Sequence, residues 1–326
     1  MRLLVVFPNT LVRIWCSTDE KNNWKRQGLW FRGRMKRVFA LGVSCLFWFG
    51  SQLRRLCLRL MGRRVSGRCV VLQYHAIPVE QRENFARQMD VVRRCATPVR
   101  ADSRAPLAIS QNHVAVTFDD GLTSFLENAL PELESRRIPA VVFVVVGKLG
   151  TVPAWTRLSS DAAWTSVPSK VPKERMLTAE QVRELTGKVL IGSHGLTHLK
   201  LTELNDAGVV DEIEGSCRQL ETIIGCKVTL FSFPYGAFSN YLLSRCKDAG
   251  YERVFTVEPK LAFRNPREFV TGRISVDPTD WPVEFRLKIT GCYIWLPYAI
   301  AAKRSLLRVL GCAWAELVGS ASPEIR

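Results

Sequence analysis

Two neighbouring aspartates, Asp119 and Asp120, follow an apolar run in "HVAVTFDDG" and are followed at once by a glycine. Aspartate is a poor strand residue and adjacent like charges repel, so this pair adds little to the stability of a strand. One interpretation is a turn, because Asp-Gly is a strong turn signal and an aspartate can cap the next helix. The other is a pair of catalytic carboxylates, which needs partners elsewhere in the chain.

Histidines supply candidate partners. The chain has four, and three of them, His75, His194 and His198, come just after predicted strands. His194 and His198 are four residues apart in "SHGLTH" and share a face if this loop turns helically. Two neutral imidazoles and one carboxylate form a three-ligand site with an open position, as in catalytic zinc centres. A single His-x-x-x-His is more often two unrelated polar residues, so the hypothesis depends on the aspartates. His113 opens a strand at the opposite end, where we expect a structural role.

Such a site suits hydrolysis. A bound metal polarises a carbonyl and lowers the pKa of water, and a second carboxylate can accept the proton of the attacking water. Adjacent side chains point in different directions, so one aspartate can bind metal while the other stays free as a base.

Short apolar runs alternate with helical patterns from about residue 68 onward. The predicted strands cover residues 69–75, 113–118, 140–146, 188–194, 228–234 and 253–257. The predicted helices cover residues 84–94, 124–137 (with Pro131 inside), 178–185 (opened by a Thr178/Gln181 capping box), 204–224 and 240–250. This alternation implies parallel β/α units, hence a doubly wound sheet or a barrel, and sites in both form at the carboxyl ends of strands. The aspartate pair, the three histidines and "PYG" (234–236) all fall at such ends.

Composition and charge limit the kinds of partner that this protein can have. The 326 residues are 47% hydrophobic and 10% aromatic, enough for one large α/β domain with extensions or for two domains. The net charge is +16, but residues 1–64 hold 14 Lys/Arg against 2 Asp/Glu, and residues 286–326 hold 6 against 2. The neutral centre argues against a nucleic-acid partner, and the basic ends predict contact with an anionic surface such as lipid. The ten cysteines form no C-x-x-C pair, which argues against a cysteine-based zinc site.

The ends of the chain mix apolar and basic residues. An uncharged run over residues 38–53 is shorter than the ~20 residues of a membrane-spanning helix, and "LRRLCLRLMGRR" after it is a basic amphipathic pattern. We therefore predict a membrane-associated protein, peripheral or signal-anchored, on an unspecified side, with Met1 or Met35 as the start. The alternative is a core helix with solvated arginines. The tail could lie on the same membrane surface or pack on the domain.

The motifs "TFDDG", "SHGLTH" and "FPYG", in this order and spacing, resemble the polysaccharide deacetylase family, with its NodB homology domain (carbohydrate esterase family 4). The resemblance covers about residues 68–291 and is specific only in combination. It implies a distorted (β/α) barrel, a divalent metal, and hydrolysis of N-acetyl groups, usually on N-acetylglucosamine polymers. The predicted organisation is a basic extension (1–64), a catalytic domain (65–291) and a basic amphipathic tail (292–326).

The resemblance also implies residue roles. Asp119 would be the general base, while Asp120, His194 and His198 would hold the metal. Zinc is our choice for that ligand set, although cobalt, nickel or manganese would fit it. Tyr235, beside Pro234 in the substrate site, would donate its backbone N–H to the oxyanion.

Two departures from the family pattern concern catalytic groups. Ser232 stands where the family has an arginine that orients the catalytic aspartate, and Arg273 in "TGRISVD" could substitute. No histidine follows His198 to supply the usual late general acid. The opening "LQYHAI" resembles members with a rearranged strand order, which makes His75 the candidate acid; the alternative is a buried, hydrogen-bonded histidine.

The segment 147–177 carries Trp155 and Trp164, which could stack on sugar rings or could anchor the loop. The predicted function is a metal-dependent hydrolase that removes N-acetyl groups from an amino sugar in a polysaccharide or lipid-linked oligosaccharide. The departure at Ser232 motivates an alternative, a catalytically weak carbohydrate-binding or assembly protein on the same fold. A nucleic-acid-associated protein is a third alternative, which the neutral centre disfavours.

Overall fold

A computed structural model describes residues 18–153, 155, 174–302 and 305, with side chains from residue 35 onward. Trp164 and most of the predicted tail lie outside the described residues.

A parallel β-sheet forms the centre of the fold. Its strands are β1 (Arg68–Tyr74), β2 (Thr97–Pro98), β3 (Asn112–Phe118), β4 (Ala140–Val144), β5 (Leu190–Ser193), β6 (Leu230–Ser232), β7 (Arg253–Phe255), β8 (Val270–Thr271) and β9 (Ile274–Ser275). The order is β8-β7-β6-β5-β4-β3-β1-β9, with β2 paired to β3, and every pairing is parallel. β1, β3 and β4 are buried along almost their whole length, which explains why they read as continuous apolar runs rather than alternating ones.

The sheet curls until its two edges approach each other. β8 and β9 are the edge strands, yet only Gly272 and Arg273 separate them in sequence, so the edges lie within about 10 Å. No pairing joins β8 to β9 among the described residues. The result is a nearly closed, distorted barrel with Arg273 in the connection across its opening.

Helices cover the outside of the sheet. They are α1 (Thr18–Leu60), α2 (Arg82–Cys95), α3 (Leu130–Ser135), α4 (Ala179–Leu185), α5 (Asp206–Val210), α6 (Ser216–Ile224), α7 (Asn240–Asp248) and α8 (Pro282–Ile289). The capping box at Thr178 is confirmed, with both of its hydrogen bonds formed to Gln181. The sequence pattern did not predict α8, β8 or β9.

Three predicted elements differ in their details. The expected helix 124–137 is a π-helical turn, Phe125–Ala129, followed by α3, and Pro131 lies in the first turn of α3, where its missing N–H costs little. The expected helix 204–224 likewise contains a π-helical turn, Asp211–Gly215, between α5 and α6. The expected strand 228–234 shortens to β6, because Pro234–Gly236 forms a tight turn instead.

The described parts of the two extensions contact the barrel and each other. In α1, Ala40 and Ser44 are buried, and Arg37 makes a 2.6 Å ion pair with Glu284 of α8. Trp295, from the start of the tail, donates its indole N–H to the Ser44 hydroxyl over 2.9 Å. Among the described residues, no helix has the length and apolar content needed to cross a membrane.

Candidate active site

The carboxyl ends of five neighbouring strands, β6, β5, β4, β3 and β1, meet at one end of the barrel, and four of them carry predicted site residues. His75 follows β1, the aspartate pair follows β3, His194 follows β5, and the turn Pro234–Gly236 follows β6. Backbone bonds continue the ladders past the strand ends, since Asp119 N–H donates to the Tyr74 carbonyl and His194 N–H to the Val144 carbonyl. Parallel pairing thus brings motifs that are far apart in sequence to one edge.

The three predicted metal ligands, Asp120, His194 and His198, lie close together. Asp120 Oδ1 lies 3.4 Å from His198 Nε2 and 3.7 Å from His194 Nε2, and one donor atom from each of the three residues lies within 4.8 Å of the others. All three residues are buried. Asp120 Oδ1 is buried without a hydrogen-bond partner in the described part of the chain. An orphaned buried carboxylate oxygen is costly, so a divalent cation bound by this donor set fits the observation.

His194 is held in the tautomer that a metal ligand requires. Its Nδ1 lies 2.7 Å from the backbone carbonyl of Ser232, so Nδ1 carries the hydrogen and donates it. Nε2 is left with its lone pair toward Asp120. Burial lowers the pKa of His194 against the opposing effect of Asp119, which keeps the imidazole neutral.

His198 is oriented by aromatic rings instead. Burial, followed by the proximity of His194, lowers its pKa to about 4. Its Nδ1 is buried without a hydrogen-bond partner among the residues described. The imidazole stacks on Trp155, with ring centroids 4.4 Å apart and planes 15° apart, and the Tyr235 ring lies 4.8 Å away. Trp155 therefore contacts a predicted metal ligand directly, a contact that neither the sugar-stacking nor the loop-anchoring interpretation included.

Substituting Trp155 separates these roles. We expect Trp155→Ala to weaken zinc affinity by about 10–100-fold, the effect typical of losing a residue that orients a metal-bound histidine. Trp155→Phe should retain most of the affinity because a ring still stacks on His198. Chelator-competition titration measures both variants. A Trp155→Ala variant with unchanged zinc affinity and a raised KM for glycan would instead establish sugar stacking.

Glu212 holds the loop that carries both histidines. This buried carboxylate, in the π-helical turn between α5 and α6, accepts hydrogen bonds from Leu196 N–H (2.7 Å), Thr197 N–H (3.1 Å) and the Thr197 hydroxyl. Gly195 has φ +79°, and a Cβ there would lie 2.6 Å from Glu212 Oε2. Sequence analysis missed Glu212, although an acidic residue inside an apolar helical pattern was the available signal.

We expect Glu212→Gln to lower zinc affinity by about 10–100-fold, because an amide cannot accept from every one of these donors. Glu214→Gln is the matched control, since Glu214 lies in the same turn but pairs with Arg245 and Arg218 outside the site. Equal zinc affinity in the two variants, measured by calorimetry, would rule out the positioning role of Glu212.

Asp119 lies next to the predicted metal ligands, with its Oδ2 3.9 Å from His194 Nε2, but it has its own set of hydrogen-bond donors. Arg273 donates to both of its oxygens, from Nη1 over 2.7 Å and from Nη2 over 2.8 Å, and Gln73 donates to Oδ2 over 2.7 Å. Burial alone would raise the pKa of Asp119, but the charge of Arg273 and then that of His194 outweigh it and hold the pKa well below its usual value. Arg273 Nη2 also donates to the Ser232 hydroxyl over 2.8 Å. A guanidinium thus contacts Asp119, the predicted general base, although Ser232 stands where the family motif has an arginine.

His75 and Tyr235 lie at the mouth of the site. His75 is exposed at the end of β1, so the alternative of a buried, hydrogen-bonded histidine is wrong. Tyr235 follows buried Pro234, is 52% exposed, and has φ +59°. Asp120 and His198 also have positive φ, so three of the six such non-glycine residues among those described belong to this site. Strained backbone of this kind concentrates at functional sites.

Comparisons with known proteins show which family this chain resembles. The family model described as Polysaccharide deacetylase matches residues 108–254, which include the aspartate pair, both metal-site histidines and Tyr235, but neither His75 nor Arg273. The Bacillus subtilis (strain 168) protein YxkH, whose name places it among the polysaccharide deacetylases, is 25% identical over 170 residues, 52% of this chain and 53% of its own length. A poly-beta-1,6-N-acetyl-D-glucosamine N-deacetylase of Staphylococcus aureus (strain MSSA476) is 23% identical over 173 residues, 50% of this chain and 54% of its own.

The chain therefore spans about half the length of the curated relatives it matches. Among solved structures, IcaB from Ammonifex degensii superimposes with a TM-score of 0.56 at 23% identity, over 70% of this chain and 98% of that chain. This likeness concerns the fold, and it confirms the distorted (β/α) barrel of the NodB type. The family-model match and the curated relatives support membership of this chain in the polysaccharide deacetylase family.

Proposed function

We propose that this protein is a metal-dependent N-deacetylase that removes acetyl groups from an N-acetylglucosamine-type sugar in a polysaccharide or lipid-linked oligosaccharide. One observation carries the proposal: Asp120, His194 and His198 converge around an orphaned carboxylate oxygen, beside an aspartate that is held separately. The substrate class is supported by the Staphylococcus aureus relative, whose name specifies a polymer of N-acetylglucosamine.

Asp120 Oδ1, His194 Nε2 and His198 Nε2 would hold the metal. When bound, a divalent cation polarises the acetyl carbonyl and lowers the pKa of water. Zinc suits this donor set best, and cobalt, nickel and manganese fit the same ligands.

Asp119 is the proposed proton acceptor. Its low pKa keeps it ionised at neutral pH, and the contacts with Arg273 and Gln73 fix the direction of its oxygens. The carboxylate accepts a proton from the water whose oxygen forms the new bond to the acetyl carbon. Because Arg273 already occupies both oxygens, Asp119 acts from one fixed position.

Tyr235 and His75 act on the oxygen and on the nitrogen of the amide, respectively. The backbone N–H of Tyr235 donates to the acetyl oxygen as negative charge develops there. His75, exposed at the mouth, donates a proton to the leaving nitrogen as the carbon–nitrogen bond breaks. The products are acetate and a free sugar amine.

The alternative of a catalytically weak carbohydrate-binding protein rests on Ser232. The contact between Arg273 and Asp119 weakens that argument, because the missing guanidinium is supplied from another strand end. This alternative remains as one outcome of the test.

Acetate release from N-acetylglucosamine oligomers by the full chain tests the proposal, with an N-acetylated lipid-linked sugar assayed in parallel. We expect release that stops after treatment with EDTA and returns when zinc is added. Release that EDTA does not affect would contradict the metal site. Glycan binding without release from either substrate, by folded and zinc-loaded protein, would favour the binding-protein alternative.

A further inference from the structure

A stripe of apolar side chains runs along the solvent side of α1. Six of them, spaced every three, four or seven residues, define the outer face: Phe39, Leu46, Phe49, Leu53, Leu56 and Leu60. Leu46 is 73% exposed and Leu60 is 79% exposed. At ~100° per residue, this spacing places all six on one side of the helix. Continuous exposed apolar surface of this kind marks an interaction site.

The outer face is not a misplaced core surface. Ala40 and Ser44 lie on the opposite side of α1 and are buried against the barrel. Arg37, near the middle of α1, bonds to Glu284 of α8, and Arg55, in the last two turns, bonds to the Asn112 side chain at the start of β3. With its inner side already packed, α1 still leaves its outer face without a partner among the described residues.

Charge identifies the partner. Lys36, Arg54 and Arg59 are exposed on α1, and Arg63 and Arg64 follow its end. No aspartate or glutamate occurs between residues 21 and 79. A second copy packed on residues 35–64 through its own residues 35–64 would therefore bring arginines against arginines with no carboxylate to pair them. An anionic lipid surface offers apolar depth to the leucines and negative headgroups to the arginines.

We propose that α1 lies in the plane of an anionic lipid bilayer, with its outer face in the boundary between headgroups and acyl chains. In-plane binding agrees with the absence, among the described residues, of a helix able to span. The proposal is independent of the chemistry proposed for the active site.

The packing of α1 fixes how the barrel would sit on the membrane. Arg37 reaches the Thr279 carbonyl beyond the carboxyl end of β9, while Arg55 reaches the amino end of β3. The part of α1 between Arg37 and Arg55 therefore runs along the side of the barrel, from the end with the active site to the opposite end. With α1 flat on the bilayer, the site opens parallel to the surface, at the height of glycans close to the lipid.

Vesicle co-sedimentation of the full chain tests the proposal. The probes are phosphatidylcholine vesicles with and without about a third phosphatidylglycerol. We compare Leu46→Glu/Leu53→Glu with a control of equal charge change, Val79→Glu/Ile109→Glu. The four positions are matched in exposure, at 73%, 63%, 68% and 53%. Thermal unfolding verifies that both variants are folded.

We expect the wild type and the control to bind anionic vesicles, and the Leu46/Leu53 variant to bind at least about tenfold more weakly. Binding should fall when phosphatidylglycerol is omitted. Equal binding by both variants would overturn the proposal. The proposal would also be overturned if the wild type did not bind vesicles and instead formed a dimer in solution that only Leu46→Glu/Leu53→Glu dissociates.

Discussion

Asp119→Asn is expected to lower kcat for acetate release by about 10²–10⁴-fold while zinc remains bound at full stoichiometry. The amide cannot accept the proton of the attacking water, but Asp120, His194 and His198 are unchanged. Acetate release and metal analysis on the same preparation measure both quantities. A variant that loses its metal together with its activity would place Asp119 among the ligands instead.

The stability of this variant needs its own control. Arg273 is fully buried, and Asp119 is its only carboxylate partner in the described structure, so Asp119→Asn leaves a guanidinium without its counter-charge. Breaking a buried pair in this way costs about 3–5 kcal/mol of the free energy of unfolding. The double variant Asp119→Asn/Arg273→Leu removes both charges and should recover much of that stability. Activity that returned with the stability would show that Asp119 is structural rather than catalytic.

Much of this site could be predicted from the sequence, because each motif is local. The aspartate pair and the two histidines of "SHGLTH" are contiguous stretches that end parallel strands, and parallel pairing brings such ends to one edge. The alternation of strands and helices was correct for the same reason. Among the predicted elements, only the ends and the two π-helical turns differed, since tertiary packing decides these details, while α8, β8 and β9 were missed.

Most of the supporting contacts could not be predicted, because they depend on how the sheet closes. The suggestion that Arg273 substitutes for the family arginine is confirmed by its contact with Asp119, but it came from the motif pattern and not from any local signal. The two residues are 154 positions apart and meet because the curled sheet places the β8–β9 connection next to the end of β3. Glu212 reaches its loop from a helix 15 residues away, and no motif marks it. Trp155 was predicted either to stack on sugar or to anchor its loop, and its contact with His198 depends on a loop path that apolar periodicity does not encode.

Arg273→Ser is expected to destabilise the protein by about 3–5 kcal/mol and to abolish most activity, because it leaves the buried Asp119 carboxylate without its ion pair. Denaturant unfolding and acetate release measure the two effects. Arg273→Lys serves as the charge-conserving control. We expect this variant to recover only part of the stability and part of the activity, since an ammonium cannot donate to the two Asp119 oxygens in parallel as a guanidinium does.

Exchanging Ser232 and Arg273 tests whether Arg273 takes the place of the arginine that the family has at position 232. The Ser232 hydroxyl lies 2.8 Å from Arg273 Nη2 and 3.4 Å from Asp119 Oδ1, so a side chain at position 232 begins beside the carboxylate. Ser232→Arg alone should destabilise the protein, because position 232 is fully buried and Arg273 already fills the space. In Ser232→Arg/Arg273→Ser, the arginine at 232 can occupy the vacated volume and pair with Asp119 from the strand end the family uses. We therefore expect the two destabilisations to be non-additive by about 2–3 kcal/mol, with partial return of acetate release. Strictly additive destabilisations would mean that Arg273 stabilises the connection between β8 and β9 independently of Asp119. An arginine at position 232 would then not replace the ion pair.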